Sequence, residues 1–316
     1  MIIATGATFR TLDAPGIDTL DRPVGHSYAG VERSEGIMRV SVETRFGTVA
    51  VHLSGCDPGG RTALLLLHAN PGDHRDFAAV LPALGEQWPV AALDWPGFGD
   101  STVSDPAALR TPVLPMIASR VLEVLQAEHG FGSVVVLGNS VGGYAAARLA
   151  EREPEHVRAA VLVQPAGFVP HGLAVRAMSR FMSAHAVAAR TVGPAARLYL
   201  GPPGRGAVRP VLERARRVRD DPQRLTVYRR LWATIAAPDL DLAANGPLPI
   251  QAPVQVVWGR NDPINPWVLN RRGLAAALPH AEVAVLPTRH EPFCEAPQLF
   301  LDTVTPFLRA HSEVNR

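Results

Sequence analysis

Lysine is missing from this chain: all 31 basic residues among its 316 are arginine. That absence excludes Schiff-base chemistry, a lysine general base and the phosphate-binding lysine of a P-loop. Cysteine is nearly absent as well. Cys56 and Cys294 are too few for a disulfide framework or a cysteine-built zinc cluster, and two isolated thiols suit a reducing compartment. No apolar run reaches the roughly 18 residues that a membrane-spanning helix needs, so no transmembrane segment is expected. Met1 to Arg10 do not pair a basic stretch with a long apolar one, which reads against a secretory leader, and the expected location is cytoplasmic. The formal net charge is only +2, so charge gives no case for nucleic acid as a partner. Hydrophobic residues at 47% against 19% charged match a chain that buries a sizeable core. This length accommodates one large α/β domain, or one domain with an insertion.

Residues 1–36 are polar and broken by Pro15, Gly16, Pro23, Gly25 and Gly36, and read as an N-terminal extension without its own core. Met38 to Glu43 and Thr48 to Leu53 alternate around Phe46-Gly47, the pattern of a hairpin. Apolar runs then recur at Ala63 to Leu67, Val90 to Leu93, Val134 to Leu137, Ala159 to Val163, Val254 to Trp258 and Val283 to Leu286. Such runs, separated by helical stretches, predict an α/β fold: a mostly parallel sheet flanked by helices and buried on both faces. Ligands of these sheets lie beyond the carboxyl ends of the strands, so chemistry is sought just after each run.

The alternation stops between about 169 and 248, where helices follow one another without strands. Ala174, Met178, Phe181, Met182 and His185 fall near one helical face, as do Val208, Val211, Leu212 and Ala215, and Leu225, Tyr228, Leu231, Trp232 and Ile235. Pro194, Pro202-Pro203 and Pro238 punctuate them. The division expected is a core of 37–168 and 249–316 with a helical cap, 169–248, over the site. The cap holds 13 arginines against five acids, a formal +8, while the rest of the chain sums to −6. A solvated face on amphipathic helices explains such charge most simply; attraction of an anionic substrate or an acidic surface is the functional reading.

Gly138-Asn139-Ser140-Val141-Gly142-Gly143 lies between the run Val134 to Leu137 and an alanine-rich helical stretch, Tyr144 to Ala150. A strand, a glycine turn carrying one serine and a helix is the layout of a nucleophile elbow. The glycines are expected to permit the sharp turn. The helix N-terminus would aim N–H groups at an anion formed there. A dinucleotide-binding loop shares the outline, but its second glycine would fall on Ser140, and no acidic residue closes a clear second strand about 20 residues on.

A serine hydroxyl needs a base within hydrogen-bond reach. His290 follows the last apolar run, in Pro287-Thr288-Arg289-His290-Glu291-Pro292-Phe293, and His68, also at a strand end, is its rival among 11 histidines. An orienting carboxylate fits at Asp262, after Val254 to Trp258, whereas the preceding strand ends Gln164-Pro165-Ala166-Gly167 and offers no acid. The order Ser140, Asp262, His290 is that of one hydrolase class. Oxyanion donors are expected from the N–H of Val141 and, since Pro71 has none, that of Asn70 in His68-Ala69-Asn70-Pro71-Gly72-Asp73. His68 then shapes the loop rather than serving as base.

Over about residues 37–310 the chain resembles the α/β-hydrolase family in its capped branch. The resemblance rests on His68-Ala69-Asn70-Pro71-Gly72, Asp94-Trp95-Pro96-Gly97-Phe98-Gly99-Asp100-Ser101, the elbow at Ser140, the acid turn at Asp262, and His290-Glu291-Pro292 with Glu295 and Pro297. It implies the fold and the triad, and it implies that Asp94 is a structural turn residue. Two departures stand out: Ala69 where the family has glycine, which crowds the oxyanion loop, and Arg289 before the histidine, which brings a charge toward an acidic substrate.

Related dehalogenases and epoxide hydrolases use aspartate as nucleophile, because serine attack at a saturated carbon would leave an ether. Serine attack on a carbonyl leaves an acyl-enzyme that water clears. The expected activity is thus hydrolysis of an ester, thioester or lactone, similar to carboxylesterases, with a small-molecule acyl substrate and neither cofactor nor metal. The elbow is also similar to that of C–C hydrolases of aromatic meta-cleavage products, the alternative activity. A non-catalytic ligand receptor on the same fold is the alternative of another class. Met178, Phe181, Met182, Tyr228 and Trp232 are the expected pocket residues.

Overall fold

The structure, a computed structural model, describes residues 29–34, 37–170 and 172–312. Every apolar run named above is a strand, and the intervening stretches are helices. In chain order these are β1 (Ala29–Ser34), β2 (Ile37–Thr44), β3 (Gly47–Gly55), β4 (Ala63–Leu67), α1 (Leu81–Gly85), β5 (Pro89–Leu93), α2 (Leu114–Glu128), β6 (Val134–Asn139), α3 (Val141–Arg152) and β7 (Val157–Val163). After these come α4 (Leu173–Ser183), α5 (His185–Leu200), α6 (Val208–Arg217), α7 (Pro222–Thr234), β8 (Val254–Gly259), α8 (Trp267–Ala277), β9 (Glu282–Leu286), α9 (Pro292–Glu295) and α10 (Pro297–Ser312).

The strands form one sheet in the order β1-β2-β3-β5-β4-β6-β7-β8-β9. From β5 to β9 every pairing is parallel, whereas β1, β2, β3 and β5 pair antiparallel in turn. The expected hairpin is β2–β3, with Val42 opposite Val49. β1 falls within the stretch read as an extension and adds an edge strand to the sheet. Residues 1–28 of that stretch lie outside the described residues.

Side chains of a strand alternate between the two faces of a sheet, and here each face meets its own helices. Leu65, Leu67, Val136, Leu162 and Val256 pack with Ile117 and Val121 of α2 and with Ala145 and Leu149 of α3. Leu64, Leu66, Val135, Leu137 and Val161 pack with Leu84 of α1 and with Phe300, Val304 and Phe307 of α10. The leucines of β4 are wholly buried; each contributes about 1.5–3 kcal/mol of transfer free energy. Because the central strands are parallel, the segments after β4, β6, β7, β8 and β9 emerge at one edge of the sheet.

Four helices, α4 to α7, stand between β7 and β8, which pair directly with Val161 beside Gln255. Asp221 caps α7 by accepting from the N–H groups of Gln223 and Arg224, and Pro222 follows at the first helical position. Pro194 does not end a helix as expected: it lies inside α5, and the chain continues helical to Leu200. One turn, with one hydrogen bond forgone, is carried by burial of Val192, Ala196, Tyr199 and Leu200 around it.

Candidate active site

Ser140 sits between the end of β6 and the start of α3 with φ 56° and ψ −115°, a conformation that costs energy for any residue with a side chain. The surroundings enforce it. The Ser140 N–H donates to the Val163 carbonyl at 3.0 Å, and the Ser140 carbonyl accepts from the N–H groups of Tyr144 and Ala166, both at 3.0 Å. The glycines act differently from expectation. It is Ser140, not its neighbours, that takes the left-handed φ. A side chain at Gly138 would lie 2.1 Å from the Gly142 carbonyl oxygen, and one at Gly142 would lie 2.3 Å from that of Leu67. Their role is close packing of β6, α3 and the end of β4.

Asp262 and His290 meet across the ends of β8 and β9. Nδ1 of His290 lies 2.6 Å from Oδ2 of Asp262, and both side chains are buried. Oδ1 of Asp262 accepts from the N–H groups of Ile264 at 2.8 Å and Asn265 at 3.1 Å. A carboxylate held this way is an acceptor, so Nδ1 of His290 carries the proton and Nε2 keeps the free lone pair. The histidine's backbone is fixed from two sides. Its N–H donates to the Tyr199 carbonyl of α5 at 3.1 Å, and its carbonyl accepts from Nδ2 of the wholly buried Asn139 at 3.1 Å. That second bond ties the residue before Ser140 to the histidine loop.

His68, the rival base, is wholly buried with both ring nitrogens occupied. Nε2 accepts from the N–H of Trp95 at 2.9 Å, so Nδ1 is the donor to the Ala69 carbonyl at 2.7 Å. Burial lowers its pKa and keeps the ring neutral. Its own carbonyl accepts from Nε1 of Trp95 at 2.9 Å, so this histidine staples the loop after β4 to the loop after β5. Asn70 follows in that loop, its Nδ2 donating to the Tyr228 carbonyl of α7 at 3.1 Å. Val141 opens α3 and is buried. The contact of Gly142 with the Leu67 and His68 carbonyls brings the Asn70 loop against that helix N-terminus.

Asp94 gathers four donors: His74 N–H at 2.7 Å, Asp100 N–H at 2.9 Å, and the rings of His74 at 3.0 Å and His52 at 3.1 Å. Burial opposes its charge, yet the bonds from His52 and His74 hold its carboxyl well below the usual range. The stacked rings of His52 and His74, 3.4 Å apart, thereby lock the turn. These three residues and Asp100 are also the group whose metal-ligating atoms lie within 4.8 Å of one another among the described residues. Their ring nitrogens are already directed at the Asp94 carboxylate, which gives the cluster a structural role.

The Arg289 side chain is held by the insertion: its Nη1 donates to the Leu198 carbonyl of α5 at 2.6 Å, and its backbone N–H donates to Glu295 at 2.6 Å. Glu295 also accepts from Arg205, between α5 and α6, at 2.9 Å. With the Ala207 N–H donating to the Cys294 carbonyl at 2.9 Å, the helical insertion is bonded to the histidine loop and α9 at four places. A further set of charges escaped the sequence reading. Arg214 of α6 donates to Asp76 at 2.7 Å and approaches Asp73 at 3.4 Å, beneath the loop after β4. Burial, reinforced by the Asp73 charge, pushes Asp76 up to about 7. Glu291, next to His290, is driven well above the carboxylate range by burial, then by Asp76. Both of its oxygens are buried without a hydrogen-bond partner. Three segments, around Asp76, Arg214 and Glu291 and each more than 70 positions from the next, form this cluster, and no local pattern announces it.

Of the five expected pocket residues, the structure leaves two largely exposed to solvent. Met178 and Phe181 lie on the outer arc of α4, 51% and 55% exposed. Ser179 and Met182 occupy the inner arc, where the Ser179 hydroxyl donates to the Trp232 carbonyl at 2.8 Å. The grouping of Met178 and Phe181 with Met182 on one face fails, because the buried arc of α4 is narrow. Met182 and Tyr228 are buried and Trp232 is half-buried, in the cluster that joins the insertion to the core.

Fold and strand-end geometry together define a class, the α/β hydrolases. The comparisons agree: the alpha/beta hydrolase fold family matches residues 62–297, and the chain belongs to that family. It is 34% identical over 110 residues to the dihydrolipoyllysine-residue acetyltransferase component of the acetoin cleaving system of Cupriavidus necator. That alignment covers 35% of this chain and 28% of the relative. It is 28% identical over 133 residues to a pimeloyl-[acyl-carrier protein] methyl ester esterase of Neisseria meningitidis, covering 40% of this chain and 48% of the relative. The chain therefore aligns with less than half the length of either. A solved esterase from Rhodococcus sp. ECU1013 superposes with a TM-score of 0.68 at 21% identity, over 88% of this chain and all of that one, a likeness of fold. No helix among the described residues is long and apolar enough to cross a membrane.

Proposed function

We propose that this protein is a serine hydrolase that cleaves a carboxylic ester, thioester or lactone through an acyl-enzyme. Ser140 is the nucleophile, His290 the general base and Asp262 its orienting partner. The observation that carries the reading is the buried 2.6 Å contact between His290 and Asp262, tied by the His290 carbonyl to Asn139, the residue preceding Ser140. Nε2 of His290 takes the hydroxyl proton as Oγ of Ser140 bonds to the carbonyl carbon, and returns it to the leaving alcohol, thiol or, from a lactone, the ring oxygen. Water then repeats the exchange, releases the acid and restores the serine. The N–H groups of Val141 and Asn70 stabilise the oxyanion, the former strengthened by the N-terminus of α3. Asp262 keeps the proton on Nδ1 and stabilises the imidazolium without itself becoming protonated.

In this reading residues 37–168 and 249–316 are the core and α4 to α7 form a cap whose inner surface, with Met182, Tyr228 and Trp232, bounds the acyl site. The esterase among the relatives supports ester chemistry, and serine at the elbow favours acyl transfer over attack at a saturated carbon. Turnover of p-nitrophenyl acetate and butyrate by the purified protein tests it. Wild type should release p-nitrophenol over many turnovers, and Ser140→Ala should not exceed background. Equal rates for the two proteins would refute it.

A further inference from the structure

The chain contains no acidic residue between Glu155 and Glu213, yet that stretch holds seven arginines. It includes α4 and α5 of the insertion. Arginines near a helix C-terminus offset its dipole, as Arg214, Arg216 and Arg217 do in α6. Arg176 and Arg180, the latter in the last turn of α4, lie one turn apart on the exposed arc of that helix, and among the described residues neither meets an acidic side chain. Beside them on the same arc stand Leu173, 85% exposed, with Phe181 and Met178, each more than half exposed. Ser179 and Met182 hold the opposite arc against α7. The helix thus presents to solvent an apolar stripe edged by unpaired arginines.

We propose that the outer face of α4, assisted by the exposed Arg190 and Arg197 of α5, docks on an anionic phospholipid surface. An amphipathic helix of this composition lies in the interface, its apolar side chains among the upper acyl chains and its cations at the headgroups. Guanidinium groups bind phosphate oxygens as paired donors, and anionic headgroups supply the charge that the protein does not. A second copy of the chain fits less well, because a symmetric contact would set two rows of unpaired arginines against each other. The inference does not depend on the catalytic reading, since its readout is lipid binding.

The test is co-sedimentation of the full-length protein with sucrose-loaded vesicles of phosphatidylcholine alone, or of an equal mixture with phosphatidylglycerol. Wild type should bind the mixed vesicles, release as salt is raised, and ignore the neutral ones. Arg176→Gln with Arg180→Gln should weaken partitioning about 25-fold, from about fivefold per arginine. Leu173→Ser should weaken it several-fold at constant charge. The thermal midpoint and the turnover of a soluble short-chain ester should match wild type in these variants, so a failure of the hydrolase reading would show separately. Absence of binding, equal binding to both vesicles, or variants that bind like wild type would each overturn the proposal. So would a concentration-dependent dimer that Leu173→Ser abolishes, in a protein that ignores the vesicles, since that would make the occupant a second copy.

Discussion

Asn139→Ala separates positioning from stability at the elbow. The Asn139 amide is wholly buried, and its Nδ2 donates to the carbonyls of Val163 and His290, both at 3.1 Å. Removing it does not strand Val163, whose carbonyl still accepts from the Ser140 N–H. The His290 carbonyl loses the donor that crosses from β6. Two bonds at about 1 kcal/mol each and the desolvation of one orphaned carbonyl oppose folding. The gain is relief of the Asn139 Oδ1, which is buried without a partner. The balance is a loss of about 1–2 kcal/mol, or roughly 3 °C in Tm for a chain of this size. The effect on rate should be larger than that loss implies. A base displaced by about 1 Å from the nucleophile costs on the order of 100-fold in kcat, with KM little changed. Steady-state kinetics on a short-chain ester and a thermal melt, run on the same preparation, read both. A melt shifted as stated with kcat intact would refute the positioning argument and leave Asn139 a packing residue.

Two further outcomes follow from the same geometry. Asp262→Asn should lower kcat about 10⁴-fold while the fold persists, because an amide can stabilise the wrong imidazole tautomer; an activity near wild type would remove Asp262 from its role. Glu291→Gln should change the pH dependence of stability. Asp76 and Glu291 have folded pKa values raised above their unfolded ones. The folded state therefore binds the extra protons, and the stability they contribute is full below about pH 4 and lost as pH rises through the folded pKa, about 7 for Asp76. The neutral amide should flatten that decline and stabilise the protein at alkaline pH, measured by melts from about pH 5 to about pH 9. A steeper decline in the variant would contradict the assignment of the protonated pair.

The strands were legible because a parallel sheet buried on both faces needs uninterrupted apolar runs, and Ala63 to Leu67 or Val134 to Leu137 can be little else. The candidate site residues stood out because they sit where such strands end. The facing of α4 was not, since its residues repeat at helical spacing on both arcs, and only packing on α7 decides that Met182 goes in and Phe181 out. Pro194 misled for a related reason: tertiary burial of α5 outweighs one missing hydrogen bond. β1 was hidden in a polar, glycine-rich stretch that gains its strand conformation by pairing with β2. The Asp73, Asp76, Arg214 and Glu291 cluster is a product of tertiary contact alone. Glu291 gave one signal, an acidic residue directly after the candidate base, but nothing in sequence tells whether such a carboxyl is solvated or buried.

The central claim is that Ser140 attacks a carbonyl through an activated hydroxyl, and it is tested most directly by trapping that oxygen. Wild type treated with diethyl p-nitrophenyl phosphate should gain one diethylphosphoryl group, located at Ser140 by peptide mass mapping, in step with release of one equivalent of p-nitrophenol. Ser140→Ala should gain none, and His290→Ala should react far more slowly. A label on another residue, or equal labelling of wild type and Ser140→Ala, would contradict the account.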